Sequence, residues 1–404
     1  MRAVVYLVII SILIFSFVSV SKASDIDSLI RLLVKKGIIT EEEAGQLKEE
    51  ISKEKEEAKA EEKSEYDTNK GIFQVSGALH GEFRWQKHGD IIESDPDSTS
   101  DLYLRRIEIA VEATLTDWAR ASAVFTSEWI GDEVNQSDEK IEVDEAVLTL
   151  NKEGFPLYLI IGKRTQPFGV FENPLITDPM TQDAYETKAV GLTVGYKGPV
   201  GLDLSLTVYK DEAQINHLFE SGLFEEALQR VATDVSDDID SFILSGSISP
   251  LKDRFTFSVS YISEPGWSRR NETVSIGLNS EALILDRFRL YAEYMKALHR
   301  EKYATVDEEY KEGVISLAAS YGMSESLDVA LRYEHFDDDS ISERLGIWTV
   351  RDRYSVGTKY NLYRNDTVGL EVFIAGEYRR TEFRAHGEIP DSNDEIYIRL
   401  GADF

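Results

Sequence analysis

From Gly71 onward the chain alternates between apolar and polar positions with a period of two. Phe73, Val75, Gly77, Leu79, Gly81, Phe83 and Trp85 share one face. Gln74, Ser76, Ala78, His80, Glu82 and Arg84 share the other, because successive side chains of a strand point to opposite sides. The contrast recurs at Leu327, Val329, Leu331 and Tyr333, at Val368, Leu370, Val372, Ile374 and Tyr378, and at Ile396, Ile398, Leu400, Ala402 and Phe404. Tight turns are legible at 116–117, 152–154, 197–199, 249–250, 279–281, 322–324 and 364–366. Between them lie long polar stretches near 88–101, 131–140, 165–188, 211–240, 264–272, 299–313, 336–351 and 380–394. The strands between these connections number about sixteen, an even set with both ends on the short-turn side.

Alternating strands fit a soluble sandwich with its apolar faces inward, or a membrane barrel with its apolar face outward. Three features favour the barrel. Aromatic residues sit at strand ends on the apolar face, as at Phe73, Trp85, Trp129, Tyr294, Tyr333, Tyr360 and Tyr378, where an interfacial girdle would place them. Charges of both signs occupy the middle of the other face, as a wet lumen allows. Connections sort into short and long, which a sandwich has no reason to do. The expectation is an all-β chain, a transmembrane antiparallel up-and-down β-barrel over 71–404. The terminal Phe404, closing an alternating strand, resembles the recognition signal of the outer-membrane assembly machinery.

Residues 1–70 follow other patterns. Arg2 precedes an apolar run from Ala3 to Val20, and Ser21-Lys22-Ala23 places small residues before a cleavage point at Ser24. Residues 1–23 therefore read as a signal peptide, and an uncleaved anchor is the competing reading. In 24–70, Ile26, Leu29, Ile30 and Leu33 recur at helical spacing, and Thr40-Glu41-Glu42-Glu43 forms a capping box. A Lys/Glu/Ala-rich continuation leads into a tether. This segment reads as a periplasmic helical or coiled-coil-like preface, either oligomerising or simply solvated.

Composition narrows the chemistry. The 404 residues include no cysteine, which excludes disulfides, thiolate metal sites and cysteine nucleophiles. A net charge of -30 argues against nucleic-acid binding, which relies on basic residues displacing counterions. Mean hydropathy of -0.28 looks soluble, but alternation averages an apolar face with a polar one. The six histidines show no metal-binding spacing, and no hydrolase or phosphate-loop motif is present. No enzyme activity, cofactor or metal is expected.

At about sixteen strands a barrel keeps an aqueous channel unless a loop folds in. Inward parity carries Arg84, Arg106, Arg120, Arg289, Arg332, Arg353, Arg379 and Arg399. It also carries Glu82, Glu108, Glu112, Glu128, Asp328, Glu334, Glu371 and Glu377. Rows such as Arg106/Glu108 and Arg332/Glu334 could set a field across the lumen, or could be water-facing charges paired with their neighbours. Bases do not outnumber acids there, so a pure anion pore is not expected. In 165–188, Pro167, Pro174 and Pro179 give a long connection a defined path. Arg164, Gln166, Pro167, Phe168, Phe171 and Asp178 are candidates for a constriction formed by this loop inside the barrel. A rigid outer loop is the alternative.

Gly162-Lys163, Pro167-Phe168-Gly169, Asp178-Pro179, Thr181, Glu186 and Val190-Gly191 together resemble the LbtU-type siderophore porin family, within the wider phosphate-selective porin group. The leader Leu33-Val34-Lys35-Lys36-Gly37-Ile38-Ile39-Thr40 resembles the periplasmic segment common in that group. The resemblance implies an outer-membrane porin for passive uptake of small solutes, with ferric siderophores as candidate cargo and a homotrimer as the assembly. The arginine-rich constriction and lysine ladder of a phosphate-selective porin are not evident. Outer-membrane lipid and lipopolysaccharide are the expected surroundings. The alternatives are a general or anion-selective porin, or a barrel acting chiefly as a surface-interaction or structural protein.

Overall fold

The computed structural model describes residues 73–88, 97–132, 140–210, 222–224, 238–251, 254–266, 268–282, 285–302, 309–384 and 390–404. The signal-peptide and helical-preface assignments, 1–23 and 24–70, lie outside the described residues. The wall begins with β1 (Phe73–Gln86), β2 (Thr99–Thr116), β3 (Ala119–Ile130), β4 (Glu142–Asn151) and β5 (Leu157–Thr165). It continues through β6 (Lys188–Lys197), β7 (Asp203–Tyr209), β8 (Ser241–Ile248), β9 (Phe255–Glu264) and β10 (Asn271–Glu281). Next come β11 (Phe288–His299), β12 (Gly313–Gly322) and β13 (Leu327–Asp337), then β14 (Thr349–Asn365), β15 (Leu370–Arg384) and β16 (Ser392–Asp403). Each strand pairs antiparallel with its sequence neighbours, and β1 pairs with β16, so sixteen strands close on themselves. The seam is finished by the terminal residue. Gly77 N donates to Phe404 O at 2.7 Å, and Phe404 N donates to Gly77 O at 2.9 Å.

Short and long connections fall at opposite ends of the barrel, as the sequence pattern implies. One boundary differs. Residues 279–281 belong to β10, because Glu281 still pairs with Arg289, and the reversal follows it. The outer face is apolar along its length, with Leu331 61% and Leu400 56% exposed. Tyr294, Tyr333, Tyr354 and Tyr378 ring the wall toward the long-loop end, and Tyr196, Tyr321 and Tyr360 toward the short-turn end. Rings in these two bands suit a boundary between hydrocarbon and water.

The interior is not polar throughout. Inward-facing Tyr209, Ile243, Ile262, Met295, Val314 and Phe336 form a dry core with groups from four long connections. Phe168, Met180 and Tyr185 come from 166–187, Leu223 and Phe224 from the connection after β7, Tyr310 from that after β11, and Trp348 from that after β13. Val350 N donates to Leu223 O at 2.7 Å, tying this packing to the start of β14. Apolar burial thus fills one side of the barrel near its long-loop end, reaching Val350 of β14 and Phe383 of β15, and the main open space lies beside β1 and β14–β16.

Candidate functional site

Connection 166–187 is pinched at its neck. Gln166 N donates to Thr187 O at 2.8 Å, and its side-chain Nε2 donates to Ala189 O at 2.6 Å. Pro167 then allows a tight return, with Phe168 N donating to Gln166 O at 2.7 Å. Phe168 is buried edge-on against Tyr185 of the short helix α1 (Met180–Tyr185). Beyond the neck the loop runs through the interior to strands on the far side of the wall.

Three carboxylates receive it there. Glu293 of β11 accepts from Val170 N at 2.7 Å and Phe171 N at 3.3 Å. Glu377 of β15 accepts from Thr177 N at 2.8 Å and Thr177 Oγ1 at 2.7 Å. Glu334 of β13 accepts from Met180 N at 2.6 Å. A backbone N–H drawn out of water needs an acceptor, and an ionised carboxylate supplies a strong one. Arg332 completes the set, donating Nη1 to Asn173 Oδ1 at 2.8 Å and Thr177 O at 2.7 Å, and Nη2 to Thr177 Oγ1 at 2.9 Å.

Two glycines make the approach close. A Cβ on Gly277 would meet Val170 Cγ2 at 2.5 Å, and one on Gly357 would meet Leu175 Cδ2 at 2.5 Å. Both lie within their strands, well away from the ends, so the loop reaches down to the middle of the wall.

Segment 173–178 separates two open spaces. The larger, of about 370 Å³, is lined by Arg84, Arg105, Trp129, Arg379, Tyr397 and others, with Asp178 and Asp183 on the loop side. The smaller, of about 290 Å³, lies toward the short-turn end beside Arg289, Asp328 and Lys359. Ile176 and Arg399 border both, so a passage between the two spaces would run at their level, the candidate aperture. Asp178 lies 3.8 Å from Arg105, and Arg353 donates to Asp183 at 2.9 Å. Asp183 is deep among protein atoms yet keeps 26% of its side-chain surface open. That burial pushes its carboxyl up to about 6 against the pull of Arg353.

The residues expected to line a channel separate into two groups. Glu82, Arg84, Arg379 and Arg399 border the larger space. Glu82 accepts from Tyr103 OH at 2.5 Å and from Arg399 Nε at 2.7 Å, Arg84 donates to Asp132 at 2.9 Å, and Arg379 donates to Glu395 at 2.6 Å. Arg332 and Glu334 do not line it. They form an ion pair at 2.9 Å whose side chains are 0% exposed, because the loop covers them. Arg106 pairs with Glu108 on its own strand and stands 3.7 Å from Glu128. Arg120 lies 3.9 Å from Glu112, and Arg289 donates to Glu281 at 2.9 Å. The rows Arg106/Glu108 and Arg332/Glu334 are therefore ion pairs within one strand. Opposed charges separated by open space occur instead between the β1, β15 and β16 arginines and Asp178 and Asp183. Arg164 stays on the wall, donating to Thr193 Oγ1 at 3.0 Å.

Trp129 departs from the girdle expected of it. Its φ of 59° turns it off the outer face, and it lines the larger space. Opposite it on β2 lies a bulge, where the β1–β2 register shifts between His80 and Gly81. The extra residue, Arg105, also turns inward, with its guanidinium 4.0 Å from the Trp129 ring centre. The signal was present in the alternation. Outward apolar residues fall at 102, 104, 107 and 109, and the single step of three marks an added residue.

Solved structures with this arrangement of strands include the outer membrane channel DcaP of Acinetobacter baumannii, at TM-score 0.60 and 12% identity over 82% of this chain and 97% of that one. An anion-selective porin from Comamonas acidovorans matches at TM-score 0.57 and 12% identity over 82% and 99% of the two chains. OmpF of Salmonella typhi, in complex with daunomycin, matches at 0.57 and 14% over 82% and 97%. The barrel is porin-like. Among curated proteins, a UPF0422 protein of Coxiella burnetii is 24% identical over 238 residues, or 57% of this porin-like chain. The match spans 50% of that relative's own length. No family model matches.

Proposed function

We propose that the chain is an outer-membrane channel for passive diffusion of small solutes, with Ile176, Asp178 and Asp183 on the loop and Arg84, Arg379 and Arg399 on the wall controlling passage. The observation that carries this reading is the inserted loop, held by Glu293, Glu334 and Glu377, with an open space on either side of it. A barrel serving only as a scaffold gains nothing from charged open spaces on either side of an inserted loop. Apolar outer residues and two tyrosine bands support a membrane setting. Residues 1–23 then act in export and 24–70 stand on the periplasmic side. Ferric siderophores as cargo and assembly as a homotrimer follow from the resemblance around 162–191, as does contact with lipopolysaccharide.

The test is conductance of the purified chain in planar bilayers. Steady single-channel currents that change when the aperture residues are replaced support a diffusion channel. A barrel that is folded but passes no current would leave the surface-interaction role. Partial blockade by ferric siderophores, and none by phosphate, would support the cargo implied by the resemblance.

A further inference from the structure

The bulged start of the wall carries a run of interleaved rings and guanidinium groups, with one ring pair stacked directly. Arg105 lies over Trp129 at 4.0 Å, and Trp129 stacks on Tyr103 with centroids 5.5 Å apart and planes at 29°. Arg84 lies 5.4 Å from the Tyr103 centroid. Arg84 is opposite Tyr397 in the β1–β16 register, and Arg379 lies 5.1 Å from the Tyr397 centroid. The run crosses five neighbouring strands, β3, β2, β1, β16 and β15. All but Tyr103 border the larger space.

Acids behind the run fix it in place. Asp132, which accepts from Arg84, has no exposed side-chain surface, and Glu82, which accepts from Tyr103, has 2%. Glu395 accepts from both Arg379 and Tyr397. A solute therefore meets guanidinium and ring surface already oriented by these acids, with Glu82, Glu395, Asp178 and Asp183 bordering the same space. Trp129 holds its place at a positive φ that is costly for an aromatic residue, and such outliers cluster where a site needs them. The loop brings Asp178 to 3.8 Å from Arg105, at the ring end of the run, so negative charge on the solute is disfavoured there and is left to the Arg84 and Arg379 end.

We propose that this run is a saturable binding site for monoanionic solutes carrying a planar aromatic ring, with the anionic group on Arg84 or Arg379 and the ring against Trp129 and Arg105. The inference deepens the channel reading and rests on it for transport, though not for binding. Arg379 gives Nε and Nη2 to Glu395, and Arg84 gives Nη2 to Asp132. A solute carboxylate would therefore take a charge-assisted hydrogen bond from a remaining guanidinium N–H, and a flat ring gains further from a guanidinium plane and an indole edge. A saturated ring of the same size and charge gains only the first.

The test compares benzoate with cyclohexanecarboxylate on the full chain in planar bilayers with KCl. Benzoate is expected to reduce the current saturably, at a half-blocking concentration about fivefold below that of cyclohexanecarboxylate. Within Trp129→Leu the two concentrations should converge. Arg105→Lys, which keeps the charge and loses the plane, should narrow the gap. Heat-dependent migration in gels verifies that each variant forms a barrel. Equal blockade by the two anions, or a gap unchanged in Trp129→Leu, would overturn the proposal. Tryptophan fluorescence of the detergent-solubilised chain gives a readout that needs no current. Saturable quenching by benzoate that is lost in Trp129→Phe supports the site even if the barrel passes no ions, an outcome that would remove the channel alone. No quenching together with no selective blockade would remove the site.

Discussion

Glu334 shows how much one side chain holds in this barrel. It accepts the Met180 N–H and pairs with Arg332, and both side chains of the pair are covered by the loop they support. Removing one member of a buried pair costs up to about 3–5 kcal/mol, less here because Arg332 keeps Glu377 at 3.8 Å. Glu334→Ala is therefore expected to release loop 166–187, giving larger and noisier single-channel currents. Chymotrypsin should then cut at Phe168 or Phe171, where the parent resists. Glu377→Gln keeps an oxygen acceptor for Thr177 and should perturb the current far less. Asp183 belongs to this scale as well. With its carboxyl pushed up to about 6, it is ionised at about pH 7.5 and mostly neutral at about pH 5. Acidification removes a negative charge beside Arg353, so anion preference should rise as pH falls. Reversal potentials in a KCl gradient would read the shift, and Asp183→Asn should hold the acidic value at both pH values.

The loop and the strand are the next scale, where fit matters more than charge. Val170 and Leu175 lie against wall positions that have no Cβ, at Gly277 and Gly357. Gly357→Val is expected to push Leu175 and the turn around it off the wall. Single-channel conductance would change while the barrel still shows heat-dependent migration; a current identical to the parent's would sink this account. The strand pattern was legible because a period of two and sorted connections are local features, and so was the rigid path implied by Pro167, Pro174 and Pro179. Where the loop docks was not. Thr177 meets Glu377 across 200 positions and Val170 meets Glu293 across 123, and nothing near either carboxylate distinguishes it from a lumen charge. Arg332 and Glu334 share parity with Arg379 and Arg399, and only the loop decides which pair is covered. The inward turn of Arg105 was legible only in the step of three between Leu104 and Ile107, since one added residue reverses the facing that strict alternation assigns, and Trp129 carries no such mark.

At the scale of the molecule, a net charge of -30 coexists with an aperture whose arginines are matched by Glu82, Glu395, Asp178 and Asp183. Screening confines distant loop charge to about 8 Å at physiological salt, so the local balance governs passage. Only weak ion selectivity is expected in KCl above about pH 7. A strong cation preference that follows the total charge would contradict this. Closure sets a second expectation. Phe404 and Gly77 exchange both backbone hydrogen bonds at the seam, so deleting Phe404 should lower the yield of heat-stable barrel. The way the loop is attached has a consequence for how such channels diversify. Glu293 and Glu334 grip main-chain N–H groups, while Gln166, Asn173, Thr177, Asp183 and Tyr185 lend side chains to the attachment. The Asp178 side chain, 3.8 Å from Arg105, can therefore be exchanged without undoing it. Much of the fastening is thus main chain and carries no side-chain requirement of its own, so selection or an engineer can alter the charge at position 178 for a new solute while the barrel keeps its architecture.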